Sequence, residues 1–366
     1  MKSTLFILLF SISSWAMPLV DKYPSYSYVF SEFDVDNSYI YDDSFSQFLK
    51  TNHNIYERFY KNSLKRGGYL IPTFKSMLIQ DGLSDLFVYM SMIESGFNRE
   101  SVSSKNAVGI WQFMEATAKQ YNLNVNSDFD ERLDPILATS AAMNYMHKLY
   151  RDFGKWYLVA MAYNCGEGRL KRGIQKAGTD DISILMQDGA GYIPKETRNY
   201  IKKILLVAMI GENVSLGLED MGDAVIQLYG KDVVQVEIDP GESLEHIAKM
   251  INMKPKDLLK LNHHFKDGIV PVKLPSYKMN IPNMKVVDFY AIYTLQKELQ
   301  RYSKTHYLSH VVKQKENLRE IAYRYRTSVS EIAIFNPKIK DDIYSGQVLV
   351  IPVTKKVFNQ FSNWNG

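Results

Sequence analysis

The chain has almost no cysteine. With Cys165 alone in 366 residues, no internal disulfide framework can form, and the fold must rest on its apolar core. No histidine accompanies Cys165 nearby, and the seven histidines are dispersed except His263-His264, read here as solvent-exposed; a thiol nucleophile with a paired base is therefore excluded. Paired cysteines, an HExxH segment and a ladder of clustered aspartates are also missing. That excludes the common metal centres, and no cofactor is expected. Charge of one sign is scarce: 44 Lys and Arg against 40 Asp and Glu leave +4, spread over mixed-sign sequence without a basic run interleaved with aromatics. Nucleic acid is not an expected partner.

Long apolar runs are missing as well. The stretch Leu5 to Ile12 is much shorter than the roughly 20 residues that span a bilayer, so no transmembrane segment is expected in the mature chain. Met1-Lys2, that run, and Ser14-Trp15-Ala16 together have the make-up of a secretory signal spanning residues 1–16, cleaved after Ala16. Ala16-Met17-Pro18 offers no cysteine for a lipid. The expectation is an exported protein, periplasmic or associated with the cell wall and not lipid-anchored.

What the chain has is 46% hydrophobic content, ample for packed cores in two or three domains. Residues 17–60, rich in Tyr, Ser and Asp with poor periodicity, read as an extended lead-in followed by an amphipathic helix around Ser44 to Lys61. Asp134 before Pro135 is an N-cap followed by proline at the first helical position. Leu137, Ala141, Tyr145 and Leu149 then carry an apolar stripe to a stop at Gly154. Trp156 to Asn164 is apolar nearly all round, which suits a central helix ending at Gly166. A further helix is expected from about Thr197 to Ile210.

The tail repeats itself. Leu244, Ile247, Ala248, Leu258 and Asn262 recur 74 residues later as Leu318, Ile321, Ala322, Ile332 and Asn336, which marks two copies of one module. Each copy reads as two short helices, the later one opening its second helix with the capping box Ser328-Val329-Ser330-Glu331. Strand-like runs flank them at Val233 to Ile238, His310 to Val312 and Val348 to Ile351. This order resembles the LysM domain, strongly over residues 307–353 and more loosely over 233–275. Residues 276–306 form a connection, either a helical spacer or a packed segment.

The chemistry centres on one acid. Phe87, Met90, Ser91 and Glu94 fall at i, i+3, i+4 and i+7, so in a helix they share a face and Glu94 leans on hydrocarbon. Such surroundings favour a protonated carboxyl, which a general acid for a glycosidic oxygen needs. A Glu at a helix end is more commonly a solvated residue, but three further blocks accompany this one. They are Asp130-Glu131-Arg132-Leu133-Asp134-Pro135, Ala162-Tyr163-Asn164-Cys165-Gly166-Glu167-Gly168 and Ile193-Pro194-Lys195-Glu196-Thr197-Arg198-Asn199-Tyr200. With Ile93-Glu94-Ser95-Gly96 and Trp111-Gln112-Phe113-Met114 they resemble, in order, the signature of lytic transglycosylases with a goose-type lysozyme fold, of the membrane-bound murein transglycosylase D type. The fold class that follows is α+β, with a mainly helical lysozyme-like domain at 61–215 and small βααβ LysM-type modules after it.

The resemblance implies a reaction. Glu94 protonates the bond between N-acetylmuramic acid and N-acetylglucosamine, then acts as base on the muramic 6-hydroxyl, and 1,6-anhydromuramic ends result. Paired-carboxylate glycosidases hold their acids about 5 to 9.5 Å apart; here Glu167 reads as part of a Gly-rich turn after a helix and Glu196 as an acid just before a helix start, and one acid fits better. Ser103, Gln112, Met114, Tyr163, Asn164 and Tyr200 transfer as substrate-binding positions, Ser103 contacting Glu94 or the glycan and Tyr200 bonding the Glu94 carboxyl. Lys105 and Asn106 stand where the family has Ala and Gly. The partner implied is the peptidoglycan strand. A binding protein without catalysis, a muramidase that uses water, and chitin hydrolysis are the alternatives. The modules read as tethers, so a chain ended after about Gly222 is expected to keep its activity on short glycans.

Overall fold

The structure, a computed structural model, describes residues 19–127, 129–215, 232–272, 276–303, 306–337, 339 and 343–362. The expected signal segment and the neighbourhood of Gly222 lie outside them. Most described residues are helical, with two small antiparallel sheets of two strands each, in agreement with the expected class. The described residues fall into two compact units, 19–60 with 149–215, and 61–148 with 232–362. These units cut across the expected domain at 61–215.

In the first unit the lead-in is helical where an extended segment was expected. Leu19–Lys22, Tyr26–Glu32 and the 3-10 turn Asn37–Tyr41 precede the long helix Asp43–Gly67. Their aromatic side chains form a core: Tyr23, Phe30, Phe33, Tyr39 and Phe45 are at most 2% exposed. Each short helix buries a different face, so no single period runs through the sequence. The segment is pinned to the helix Lys195–Ser215, since Ser25 Oγ donates to the Met209 carbonyl at 3.0 Å and Asn213 Nδ2 to the Lys22 carbonyl at 3.1 Å. The helix Trp156–Cys165 buries every residue from Tyr157 to Ala162 and stops at Gly166 with φ 84°, as its all-round apolar character requires.

In the second unit Asp134 caps the helix Pro135–Phe153, its Oδ1 accepting from the Ile136 and Leu137 N–H at 2.8 and 2.9 Å. The first module pairs β1 (Val233–Ile238) with β2 (Tyr277–Pro282), antiparallel from Val233↔Pro282 to Ile238↔Tyr277. Helices Leu244–Met250 and Pro255–Leu261 lie between them. Its closing strand therefore lies past the limit expected at 275. The helix Val286–Ser303 that follows is packed, with Phe289 and Tyr293 entering the module core beside Leu244 and Ile247. The second module pairs β3 (His306–Val311) with β4 (Val348–Val353) around Leu318–Arg324 and Val329–Phe335, and the Ser328–Glu331 capping box forms.

The repeated asparagine is a clamp. Asn262 Nδ2 donates to the Leu258 and Asn280 carbonyls, and its Oδ1 accepts the Asn280 N–H at 2.7 Å. Asn336 does the same for Ile332 and Val350, accepting the Val350 N–H at 2.9 Å. Each ties the end of the second helix to the closing strand. Asn262 is 0% exposed, whereas solvent reaches Asn336. Unmade buried hydrogen bonds cost about 1–3 kcal/mol each, so Asn262→Ala is expected to cost about 3 kcal/mol and Asn336→Ala about 1 kcal/mol. Hydrogen exchange in the full chain, read separately over 233–282 and 306–353, checks the order; equal losses would refute it.

The first module is also docked on the helical part of its unit. The Asp134 side chain is fully buried. Its Oδ2 accepts from Asn280 Nδ2 at 3.0 Å and Gln235 Nε2 at 3.4 Å, and lies 3.4 Å from His264 Nε2. Phe129 joins the module core, edge-on to Tyr277, and Thr73 Oγ1 accepts the Val233 N–H at 3.0 Å. The expectation of exposed histidines fails at His264, which is 2% exposed and whose burial pushes its imidazole toward the neutral form. His263 lies 3.0 Å from Glu100. No described helix is long and apolar enough to cross a membrane.

Candidate active site

Glu94 lies in the last turn of the helix Val88–Ser95, in which every residue from Val88 to Met92 is buried. Phe87, which ends the preceding 3-10 turn, and Met90 and Ser91 are at most 1% exposed, while Glu94 is half-buried. The helix ends at Gly96 with φ 58°, a left-handed position that favours glycine. A Cβ there would collide with the guanidinium of Arg66, which donates to the Gly96 carbonyl at 2.9 Å. The Glu-Ser-Gly order thus has a local cause.

Two serines fasten this helix to the Trp-Gln-Phe-Met loop. Ser91 and Ser95 both donate to the Ile110 carbonyl, at 3.1 and 3.0 Å. Trp111 is fully buried and its Nε1 donates to Thr139 Oγ1 at 2.8 Å. Gln112 sits at φ 50°, strained for a residue with a Cβ. Its amide nitrogen supports the turn by donating to the Ser101 and Gly109 carbonyls at 3.1 and 2.8 Å. Met114 immediately precedes the next helix, Glu115–Gln120, and is 45% exposed, an apolar side chain open to a ligand.

Ser103 orders the same loop. Its oxygen accepts from the Lys105 and Ala107 N–H groups at 3.2 and 3.0 Å, leaving the O–H to donate. Asn106 takes φ 62°, a conformation asparagine tolerates better than most residues with a Cβ. The departure from Ala-Gly at 105–106 is therefore accommodated by the backbone. Arg132, which the sequence placed in a block without giving it a task, buttresses the loop: it grips Asp130 through two nitrogens and donates to the Phe113 carbonyl at 3.2 Å. A Cβ on Gly109 would strike the Arg132 carbonyl.

Tyr163, Asn164 and Tyr200 belong to the other unit. Asn164, at the end of Trp156–Cys165, accepts from Thr197 Oγ1 at 2.7 Å. One lone pair is thereby engaged, and its two N–H donors suit an acetamido carbonyl. Thr197 is 1% exposed; the sequence placed it in the block that ends at Tyr200 but assigned it no role. Tyr200 is 4% exposed and Tyr163 half-buried. Glu167 and Glu196 sit in the first turns of Glu167–Ala177 and Lys195–Ser215, favourable positions for acids. Burial pushes the Cys165 thiol up, away from the thiolate a nucleophile needs. Among the described residues no group of three His, Cys, Asp or Glu could hold a metal ion.

Residues 74–186 match the family described as Transglycosylase SLT domain, 310–352 the LysM domain, and 232–297 the family described as Lytic transglycosylase MltD, LysM-like domain. The last span includes β2 and most of the packed helix after it. The chain is homologous to the Membrane-bound lytic murein transglycosylase D of Escherichia coli K12, 30% identical over 203 residues, 52% of this chain and 42% of that protein. The chain thus spans less than half the length of that relative. The Peptidoglycan transglycosylase gp16 of Escherichia phage T7 is 34% identical over 138 residues, 37% of this chain and 10% of that one. Among solved structures, the 70 kDa soluble lytic transglycosylase of Escherichia coli has 23% identity and a TM-score of 0.33, covering 39% of this chain and 24% of its own. Glu94, Ser103, Gln112, Met114, Tyr163 and Asn164 fall inside the transglycosylase match; Tyr200 lies beyond it.

Proposed function

We propose that this protein is an exported lytic transglycosylase that cleaves peptidoglycan between N-acetylmuramic acid and N-acetylglucosamine and holds glycan through its LysM modules. It acts in the periplasm or at the cell wall. The observation that carries this reading is Glu94 within the transglycosylase match, half-buried on a helix whose position is fixed by Ser91 and Ser95.

In the reaction, Glu94 gives its proton to O4 of N-acetylglucosamine as the bond from C1 of the muramic residue breaks. The 2-acetamido group shares the positive charge left on that sugar. The carboxylate then takes the proton of the muramic 6-hydroxyl as its oxygen closes on C1. The 1,6-anhydro ring forms, Glu94 is protonated again, and no water is consumed. Ser103, Gln112 and Met114 bind the glycan on the Glu94 side of the chemistry, and Tyr163 and Asn164 contribute through the acetamido group. A muramidase would deliver water to the same carbon. Mass spectrometry of fragments released from purified sacculi separates the two: anhydromuramic ends are expected, and reducing muramic ends alone would replace this reading with the hydrolytic one.

Tyr200 acts by tuning Glu94. Tyr200→Phe is expected to slow cleavage by roughly one to two orders of magnitude and to displace the pH profile. An unchanged rate and profile would leave Tyr200 as a packing residue.

A further inference from the structure

The helical part of the second unit and its docked module line an open-sided cavity of about 410 Å³, within the roughly 300–1,000 Å³ of small-ligand sites. Residues 121–144 supply one wall, and β1, β2 and the His264-Phe265 turn the other. None of the residues assigned to the reaction lines it. Phe129, Phe265 and Tyr277 form an apolar floor, each at most 6% exposed, with both phenylalanines edge-to-face against Tyr277. The walls mix amides and hydroxyls, among them Asn124, Ser140 and Asn144, with the apolar Leu123, Leu137 and Ala141.

The polar groups specify the ligand further. Glu131 and Glu237 face the cavity with Lys278 as the only lining ammonium among the described residues, so a carboxylate is disfavoured there. Burial pushes the Glu131 carboxyl up, toward a neutral donor. His264 also lines the cavity, and its buried Nδ1 has no hydrogen-bond partner among the described residues. Apolar floor, amides and hydroxyls on the walls, and a preference for neutral ligands match the apolar face, acetamido group and hydroxyls of an N-acetylated amino sugar.

We infer that this cavity is a second glycan site that takes N-acetylhexosamine residues of the strand, built jointly by the helical part of the unit and the first module. The inference rests on the substrate class proposed above. The docked module is then a wall of a site and not a tether. Glu94 belongs to the same compact unit, so a strand bound here is held at a fixed distance from the acid.

The test uses the full chain. In the Glu94→Gln protein, an N-acetylglucosamine tetramer is expected to slow hydrogen exchange over 121–131 and 276–282, and Ser140→Phe, which fills the cavity, should remove that protection. With Glu94 intact, Ser140→Phe and the exposed-site variant Asn144→Ala should raise KM on long glycan about threefold or more while kcat on short fragments stays within about twofold. The inference is overturned if the tetramer leaves both segments unchanged, if the deacetylated tetramer protects them equally, or if neither variant moves KM. Protection in the Glu94→Gln protein, with no glycan cleavage by the protein that keeps Glu94, would instead overturn the proposed activity and leave the cavity's ligand standing.

Discussion

Glu94→Gln is expected to lower glycan cleavage at least about a hundredfold, because loss of a positioned general acid removes that much or more. The amide keeps nearly the shape of the carboxyl but has no proton to deliver and cannot serve as the base in the second half of the reaction. The fold should survive. The helix is held by Ser91, Ser95, Arg66 and the packing of Val88 to Met92, none of which needs a charge at position 94. Retention on sacculi should survive too, since the modules lie elsewhere in the chain. The contrast between lost turnover and kept binding is the informative result. Turnover within about tenfold of the unmodified protein would remove Glu94 from the chemistry and favour a chain that only binds the wall.

Some of this architecture could be read from sequence because its causes are local. Asp134-Pro135 is a cap and a first-turn proline within two residues, and the cap forms. The Ser328–Glu331 box closes within one turn. The repeat, too, needed only its own two copies. What was hidden has distant causes. In β2, Asn280 interrupts the apolar pattern of Tyr277–Pro282, yet it is 0% exposed because Asn262 and Asp134 satisfy it; no reading of the strand alone anticipates a partner 146 residues away. His264 was read as exposed for the same reason. The lead-in hid its helices because their aromatic residues pack on helices far along the chain. At the candidate site, residue types were legible, while the hydrogen bonds made by Ser103, Gln112 and Asn164 depend on how the loops and helix ends fold.

That distinction changes what truncation should do. A chain ended after Ser303 loses only the second module, and its activity on short soluble glycans should stay within about twofold. Its retention on whole sacculi should fall about tenfold or more, since a linked weak site turns later contacts into intramolecular ones. A chain ended after Gly222 is a different case from the one the sequence suggests. It also strips the module docked on the helical part of the unit, uncovering Phe129 and the Asp134 carboxylate, which are 3% and 0% exposed. Re-exposing one large aromatic side chain costs about 1.5–3 kcal/mol, and the lost bonds from Asn280 and Gln235 add to that. The shorter chain should therefore melt well below the Ser303-ended one and lose turnover even on short fragments. Thermal unfolding and short-glycan kinetics of both proteins, with co-sedimentation on sacculi, separate the two roles. If the Ser303-ended chain pellets as well as the full protein, the second module is not a wall anchor and serves another partner. If the Gly222-ended chain matches it in melting and turnover, the seam around Asp134 contributes nothing to the folded unit, and the first module is a tether after all.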